Sequence, residues 1–190
     1  LNWENIRSLA DNPDTSLKFK ESREIALNGI IAGLKAVVPS QLIKSKCQLD
    51  GSFLKFGDKR ISMKNQRPII ILGAGKAVSE MLIAIMEMFP VSYPLHAIII
   101  IPNNQQKRPE SQLLIQNRKI RCFFGGHPVP NHNSVEGVKI MIETILHSPP
   151  DPVILILLSG GASSLLAYPV KSISLNDLQK TNELLLKCGA

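Results

Sequence analysis

A glycine-rich turn after a short apolar run is the first candidate for chemistry in this sequence. Gly73-Ala74-Gly75-Lys76 directly follows the run Ile69–Leu72 and precedes a helical pattern. Small residues between a strand and a helix leave backbone N–H groups free to face an anion near the positive end of the helix. The Lys76 ammonium opposes the helix dipole unless an anion joins it. Gly73, Gly75 and Lys76 are therefore candidate phosphate-binding residues, and a lysine that simply points into solvent is the alternative.

Two well-known nucleotide motifs do not match this turn. A P-loop needs glycine where this chain has Ile70, and a serine or threonine where it has Ala77. A dinucleotide fingerprint needs a third glycine where Val78 stands, and an acidic residue about 20 positions further on, which is missing. The P-loop interpretation fails, and an NAD site is disfavoured.

A second turn of the same kind follows the apolar run Val153–Leu158. It supplies hydroxyl groups and backbone N–H groups from Ser159, Gly160, Gly161 and Ser163. An isolated Ser-Gly-Gly is more often a mere tight turn, but the carboxyl ends of parallel strands share one edge of a sheet, and ligands of open α/β sheets bind there. We expect this turn to bind phosphate beside the first. A nucleophilic serine is disfavoured, because no G-x-S-x-G elbow is present.

A third loop, Gly125-Gly126-His127-Pro128-Val129-Pro130, follows the apolar run Ile120–Phe124. Its glycines permit close backbone approach, and His127 could donate to an anion or carry a proton near neutral pH. Gly126 and His127 are candidate substrate-binding residues, with a histidine that bonds only within its own loop as the alternative. The metal ligands are unknown, because no histidine spacing typical of a metal site is present in His96, His132 or His147.

The order of elements predicts how these turns are positioned. Continuous apolar runs alternate with helical patterns, which is typical of a largely parallel sheet covered by helices on both faces. We predict a three-layer α/β/α sandwich, with one hairpin over FLKF-GD-KRISM outside it. We predict strands over residues 69–72, 97–101, 120–124 and 153–158. We predict helices over residues 26–37, 78–89, 135–146 and 175–187. Capping boxes are predicted at Asn133 and at Ser174.

Composition excludes several classes of protein. The chain has 190 residues, 44% hydrophobic, which suits one globular domain with its own core. The formal charge is +7, but only 5% of residues are aromatic, so nucleic-acid binding is disfavoured and a small anion is a better partner. Apolar runs are too short to cross a membrane. Three scattered cysteines favour a reducing compartment, the cytoplasm or else the mitochondrion. Residues 1–15 are expected to be poorly ordered.

The motifs GAGKA, GGHPVP and LLSGGAS, with the ending LLLKCGA, resemble in order those of the glycerate kinases of the MOFRL type, over residues 26–190. The resemblance implies a Rossmann-like amino-terminal domain, with ATP and Mg²⁺ as cofactors and D-glycerate as substrate. It implies that Lys76 assists transfer of the γ-phosphoryl group. It also implies that the Ser159 turn and the His127 loop contact nucleotide and substrate. A homo-oligomer is compatible with it.

The sequence departs from this family pattern at two positions and in length. Ala162 stands where a third glycine is common, and Asn131 stands where the family often has an aspartate. The resemblance also implies a second, carboxyl-terminal domain that contributes half of the cleft, so we expect the 190-residue chain by itself to be weakly active or inactive. Two other functions stay open, an NAD(P)-dependent hydroxypyruvate reductase and a non-catalytic module that binds sugar phosphates.

Overall fold

A computed structural model describes residues 17–189 of the chain. Its strands are β1 (Cys47–Asp50), β2 (Phe53–Phe56), β3 (Lys59–Ser62), β4 (Ile69–Ala74), β5 (Leu95–Pro102), β6 (Ile120–Gly125) and β7 (Val153–Leu158). Its helices are α1 (Leu17–Ala36), α2 (Pro39–Lys46), α3 (Val78–Met86), α4 (Pro109–Ile115), α5 (His132–Leu146), α6 (Ala162–Leu165) and α7 (Leu175–Cys188).

The centre of the fold is a parallel four-stranded sheet in the order β6-β5-β4-β7. Strand β4 is buried along its whole length, because helices cover both of its faces. On one face Leu82 of α3 and Leu114 of α4 pack in the core; on the other, Met141 of α5 and Leu165 of α6 do so. The predicted three-layer α/β/α sandwich with a parallel sheet is confirmed.

The amino-terminal part adds a small antiparallel sheet of β1, β2 and β3. The predicted hairpin is confirmed as β2 and β3, whereas α2 and β1 were not predicted. Leu54 of this sheet is completely buried and joins the same core as α3. Gly29 and Gly33 of α1 have no heavy atom of the described residues within 4 Å of an added Cβ, so close packing against a neighbouring element does not account for them. The expectation that residues 1–15 are poorly ordered concerns a segment outside the described residues.

Helix boundaries show where local sequence misleads. The polar connection after β5 contains the helix α4, which the sequence pattern did not predict. Helix α5 begins three residues earlier than expected and is capped by Asn131 with Ser134, not by Asn133. The prediction of Asn133 was wrong because both asparagines precede a suitable partner, and only the backbone decides between them. The capping box at Ser174 and Asp177 is confirmed.

The face of β7 on the α5 side is exposed in this chain. Ile154, Ile156 and Leu158 share this face, and 66% of Ile156 is exposed. Among the described residues no single helix is long and apolar enough to span a bilayer; α1 and α2 pass such a test only as a pair, which is bent by 60°.

Candidate functional site: an anion-binding rim

The two glycine-rich turns lie side by side at the carboxyl edge of the sheet. Strands β4 and β7 are neighbours, with Ala74 opposite Leu158 in the register. Beyond the strands, the Lys76 backbone N–H donates to the Gly160 carbonyl at 3.0 Å. The Ala77 backbone N–H donates to the Ser159 hydroxyl at 3.0 Å. The expectation that Lys76 and Gly160 share one rim is therefore met in the structure. The expectation of free backbone N–H groups in the first turn is wrong, because those of Lys76 and Ala77 are used as above and that of Gly75 donates to the Ile100 carbonyl at 3.2 Å.

Close contact between the turns makes one glycine obligatory. Gly75 has a φ of +138°, a conformation that residues with side chains rarely adopt, and a Cβ there would meet the hydroxyl and backbone of Ser159. Gly160 differs, because nothing lies within 4 Å of the position that its Cβ would take. The rim is thus closely packed at Gly75 and open at Gly160, where a ligand could approach the backbone.

The third loop brings His127 against the second turn. His127 Nδ1 lies 3.0 Å from the hydroxyl of Ser164, which belongs to α6. The imidazole lies over Gly161, where a Cβ would be only 3.1 Å from the ring carbon Cε1. Gly126 is buried, and a Cβ there would collide with the backbone of Val129 and Asn131. The structure therefore collects three loops from β4, β6 and β7 at one place.

Two side chains that hold the His127 loop were not among the predicted site residues. The hydroxyl of Ser134, which is fully buried, accepts hydrogen bonds from the backbone N–H groups of Gly126 at 3.2 Å and Asn131 at 3.3 Å. The Asn131 amide donates to the Phe124 carbonyl at 3.3 Å while its oxygen accepts from the Ser134 N–H. Asn131 therefore holds the loop against β6 through its side-chain N–H. An aspartate has no such donor and could not form this hydrogen bond. A capping signal at Asn131 could have revealed both residues.

Neighbouring serines in the second turn have different surroundings. Ser164 is buried beside His127, whereas Ser163, the predicted phosphate ligand, is exposed on α6. Within residues 17–189 no hydrogen bond reaches the Ser163 hydroxyl. Ser163 stays a prediction, and Ser164 joins the site as a residue that sequence reasoning missed.

Lys76 gives the rim a positive charge. Its side chain is exposed, and in the described part of the chain it forms no salt bridge. It borders a small cleft with Arg108, Glu80 and Glu110. Burial, together with the charge of Lys76, lowers the pKa of His127 below its ordinary value of 6.5, so the imidazole is neutral at pH 7. An ammonium beside open backbone groups suits an anionic ligand.

The rim offers a positive charge and exposed backbone rather than a cluster of metal-binding side chains within the described residues. Exposed backbone at Gly160 and the Lys76 ammonium are the groups that bind phosphate oxygens in α/β proteins. Over residues 17–189, no group of three or more histidine, cysteine, aspartate or glutamate side chains could hold a metal ion.

Sheet order and loop geometry define the class of protein: an α/β domain of three layers with two glycine-rich turns and a histidine loop gathered at the carboxyl edge of a parallel sheet. Comparison with known families is consistent with this class. Residues 26–190 match the family DUF4147, described as a domain of unknown function. The chain belongs to this family, and the resemblance to glycerate kinases is confirmed by its relatives.

The relatives are considerably longer than this chain. A protein of Pyrococcus horikoshii named glycerate 2-kinase is 27% identical over 168 residues, which are 88% of this chain and 35% of the relative. A protein of Agrobacterium vitis, whose name proposes a hydroxypyruvate reductase, is 30% identical over 64% of this chain and 29% of its own length. A crystal structure of a P. horikoshii protein is 27% identical with a TM-score of 0.71, over 88% of this chain and 36% of that one. The chain thus spans about a third of the length of its relatives.

Proposed function

We propose that this chain is the nucleotide-binding part of a glycerate kinase, which transfers the γ-phosphoryl group of ATP to D-glycerate. The observation that carries the proposal is the hydrogen bond from the Lys76 N–H to the Gly160 carbonyl, because it brings the two glycine-rich turns together at one rim. The relatives named glycerate kinase support this choice among anion-binding functions.

The roles of the residues follow from their positions. Lys76 neutralises phosphate charge, and the backbone around Gly160 donates to phosphate oxygens. Gly75 is needed so that the two turns can approach each other. His127 faces the substrate from the third loop. Gly126, predicted as a substrate contact, is buried within that loop and donates its N–H to Ser134, so its role is to shape the loop. When bound, ATP supplies the phosphoryl group, and these residues act by positioning and charge neutralisation, which is how proteins accelerate this reaction.

Mg²⁺ is proposed to arrive with the nucleotide. The phosphates themselves supply oxygen ligands to Mg²⁺ in many nucleotide sites, and the described part of this chain has no carboxylate cluster to hold the ion. The remaining ligands would come from the longer enzyme.

The test measures binding and turnover separately. Isothermal titration of the 190-residue chain with ATP should show binding, and Lys76→Met should weaken it at least tenfold without changing the circular dichroism spectrum. Arg118→Met is a matched control, because Arg118 is an exposed cation before β6 and is no part of the proposed site. A coupled assay of ATP consumption with D-glycerate should then give turnover only when the chain is joined to the carboxyl-terminal part of a relative. Equal ATP affinity in Lys76→Met would contradict the proposal.

Hydroxypyruvate reduction is the second candidate, because of the relative from A. vitis. The structure offers an objection: β5 ends at Pro102 and is followed by Asn103, so no carboxylate stands where a dinucleotide-binding domain holds the ribose hydroxyls. Titration with NADH, followed by its fluorescence, separates the two candidates. Enhanced NADH fluorescence without ATP binding would favour the reductase, and binding of a sugar phosphate without ATP consumption by the joined enzyme would favour a non-catalytic module.

A further inference from the structure

The hydrogen bonds of Ser164 decide which nitrogen of His127 carries the proton. The Ser164 hydroxyl donates to the Gly161 carbonyl at 3.1 Å. A carbonyl cannot donate, so the single hydrogen of this hydroxyl is already committed. At its 3.0 Å contact with Nδ1, Ser164 Oγ must therefore accept. This arrangement favours the neutral tautomer that carries its hydrogen on Nδ1.

The other ring nitrogen, Nε2, is left with a lone pair. Within residues 17–189 no group forms a hydrogen bond with Nε2. The ring is only partly buried, and it lies against Gly161, which has no side chain to cover it. A neutral imidazole in this state accepts a hydrogen bond at Nε2 and cannot donate one there. Nε2 therefore suits a hydroxyl group, which can donate to it, better than a phosphate or carboxylate oxygen, which can only accept.

We propose that Ser164 is a positioning residue that holds His127 as the acceptor for the hydroxyl of the substrate, so that Nε2 takes the proton as that hydroxyl is phosphorylated. The inference rests on the proposed kinase function. In the step, the hydroxyl oxygen forms a bond to the γ-phosphorus of ATP, and the bond from this phosphorus to the bridging oxygen of ADP breaks. The hydroxyl proton passes to His127 Nε2, and ADP leaves with the electrons of the broken bond.

The charges around His127 agree with an acceptor. Lys76 is the charged group that acts on the ring, and together with burial it keeps His127 neutral at pH 7. The third loop itself carries no acidic side chain, and α6 contributes only uncharged residues. A neutral base next to an ammonium can take a proton from a hydroxyl, whereas a histidine that clamps an anion is normally protonated.

The first experiment reads the tautomer directly, and it does not depend on catalysis. Long-range ¹H–¹⁵N correlation of the labelled 190-residue chain at pH 8 distinguishes the two neutral forms of each of the four histidines, and His127→Gln assigns the signal. His147 is an internal reference, because its Nδ1 lies 2.8 Å from the Glu143 carbonyl and must also carry a hydrogen. We expect His127 in the Nδ1–H form, a shift toward Nε2–H in Ser164→Ala, and recovery of the Nδ1–H form in Ser164→Thr. An Nε2–H form in the wild type, or an unchanged form in Ser164→Ala, would overturn the assignment of Ser164.

The second experiment asks what Nε2 binds. D-glycerate is titrated into the chain between pH 8 and pH 5, and the Nε2 signal is followed. An acceptor loses D-glycerate affinity as His127 is protonated, by about tenfold per pH unit below its pKa, whereas an anion donor gains affinity over the same range. Rising affinity at low pH, or no D-glycerate response at all, would overturn the acceptor role. ATP binding measured on the same sample tests the kinase proposal independently, so the two can fail separately.

Discussion

At the scale of single residues, the rim contains two glycines that are present for different reasons. The fold needs Gly75, because its φ of +138° and its contact with Ser159 leave no place for a side chain. The fold does not need Gly160, which has open space around it. Because of this difference, an alanine at position 75 tests folding, whereas an alanine at position 160 tests ligand binding.

Gly75→Ala should destabilise the chain by about 2 kcal/mol or more, from strain at a φ that alanine rarely adopts and from displacement of Ser159. Gly160→Ala should change the free energy of unfolding by less than about 0.5 kcal/mol, yet it should weaken ATP binding because the methyl group fills the open space. Urea unfolding followed by circular dichroism measures stability, and isothermal titration measures binding. Full ATP affinity in Gly160→Ala would show that the nucleotide does not approach this backbone.

His127 makes stability depend on pH. Its pKa in the folded chain is lower than the ordinary value of 6.5 that applies to the unfolded chain, so the unfolded chain binds more protons between these two values. Stability should therefore fall as the pH drops through 6.5 and should level off below the folded-state pKa. Urea midpoints of the wild type and His127→Gln, measured from pH 8 to pH 5, should converge as the pH decreases. Lys76→Met should reduce this effect, and a midpoint difference that does not vary with pH would contradict it.

At the scale of secondary structure elements, contiguous apolar residues made most of the fold predictable. The runs Ile69–Leu72 and Val153–Leu158 mark strands without ambiguity, because helices cover both faces of a parallel strand. The same rule placed the two turns on one edge. Short elements carry no such signal: α4 has seven residues and α6 only four. The choice between Ser163 and Ser164 depends on the rotation of α6, which four residues do not encode in a pattern.

The start of α5 is the element whose hydrogen bonds hold the His127 loop. Ser134→Ala should leave the N–H of Gly126 without a partner in the protein interior, at a loss of about 1–3 kcal/mol in the free energy of unfolding. Ser172→Ala, at an exposed serine, is the control and should change stability by less than about 0.5 kcal/mol. Urea unfolding compares the two variants. In Ser134→Ala the His127 signal should also move in the NMR spectrum; equal stability of both variants would show that the loop is held by other contacts.

At the scale of the whole molecule, one face of β7 is apolar and exposed in the described part of the chain. Ile154, Ile156 and Leu158 lie on it, in register with buried residues of β4. Among the strands of residues 17–189, β7 is also an edge strand, and no other strand pairs with one of its sides. Exposed apolar surface of this kind promotes association. We expect the 190-residue chain to self-associate as its concentration rises.

Adjacent residues of β7 provide the test, because Ile156 is 66% exposed and Leu157 only 4%. Ile156→Thr keeps a β-branched side chain in the strand, so it should reduce self-association in sedimentation velocity while stability changes by less than about 0.5 kcal/mol. Leu157→Thr removes apolar groups from the core and leaves a hydroxyl there, so it should destabilise the chain by about 2–4 kcal/mol. If Ile156→Thr associates as strongly as the wild type, the contact between copies lies elsewhere, and the face of β7 does not drive it.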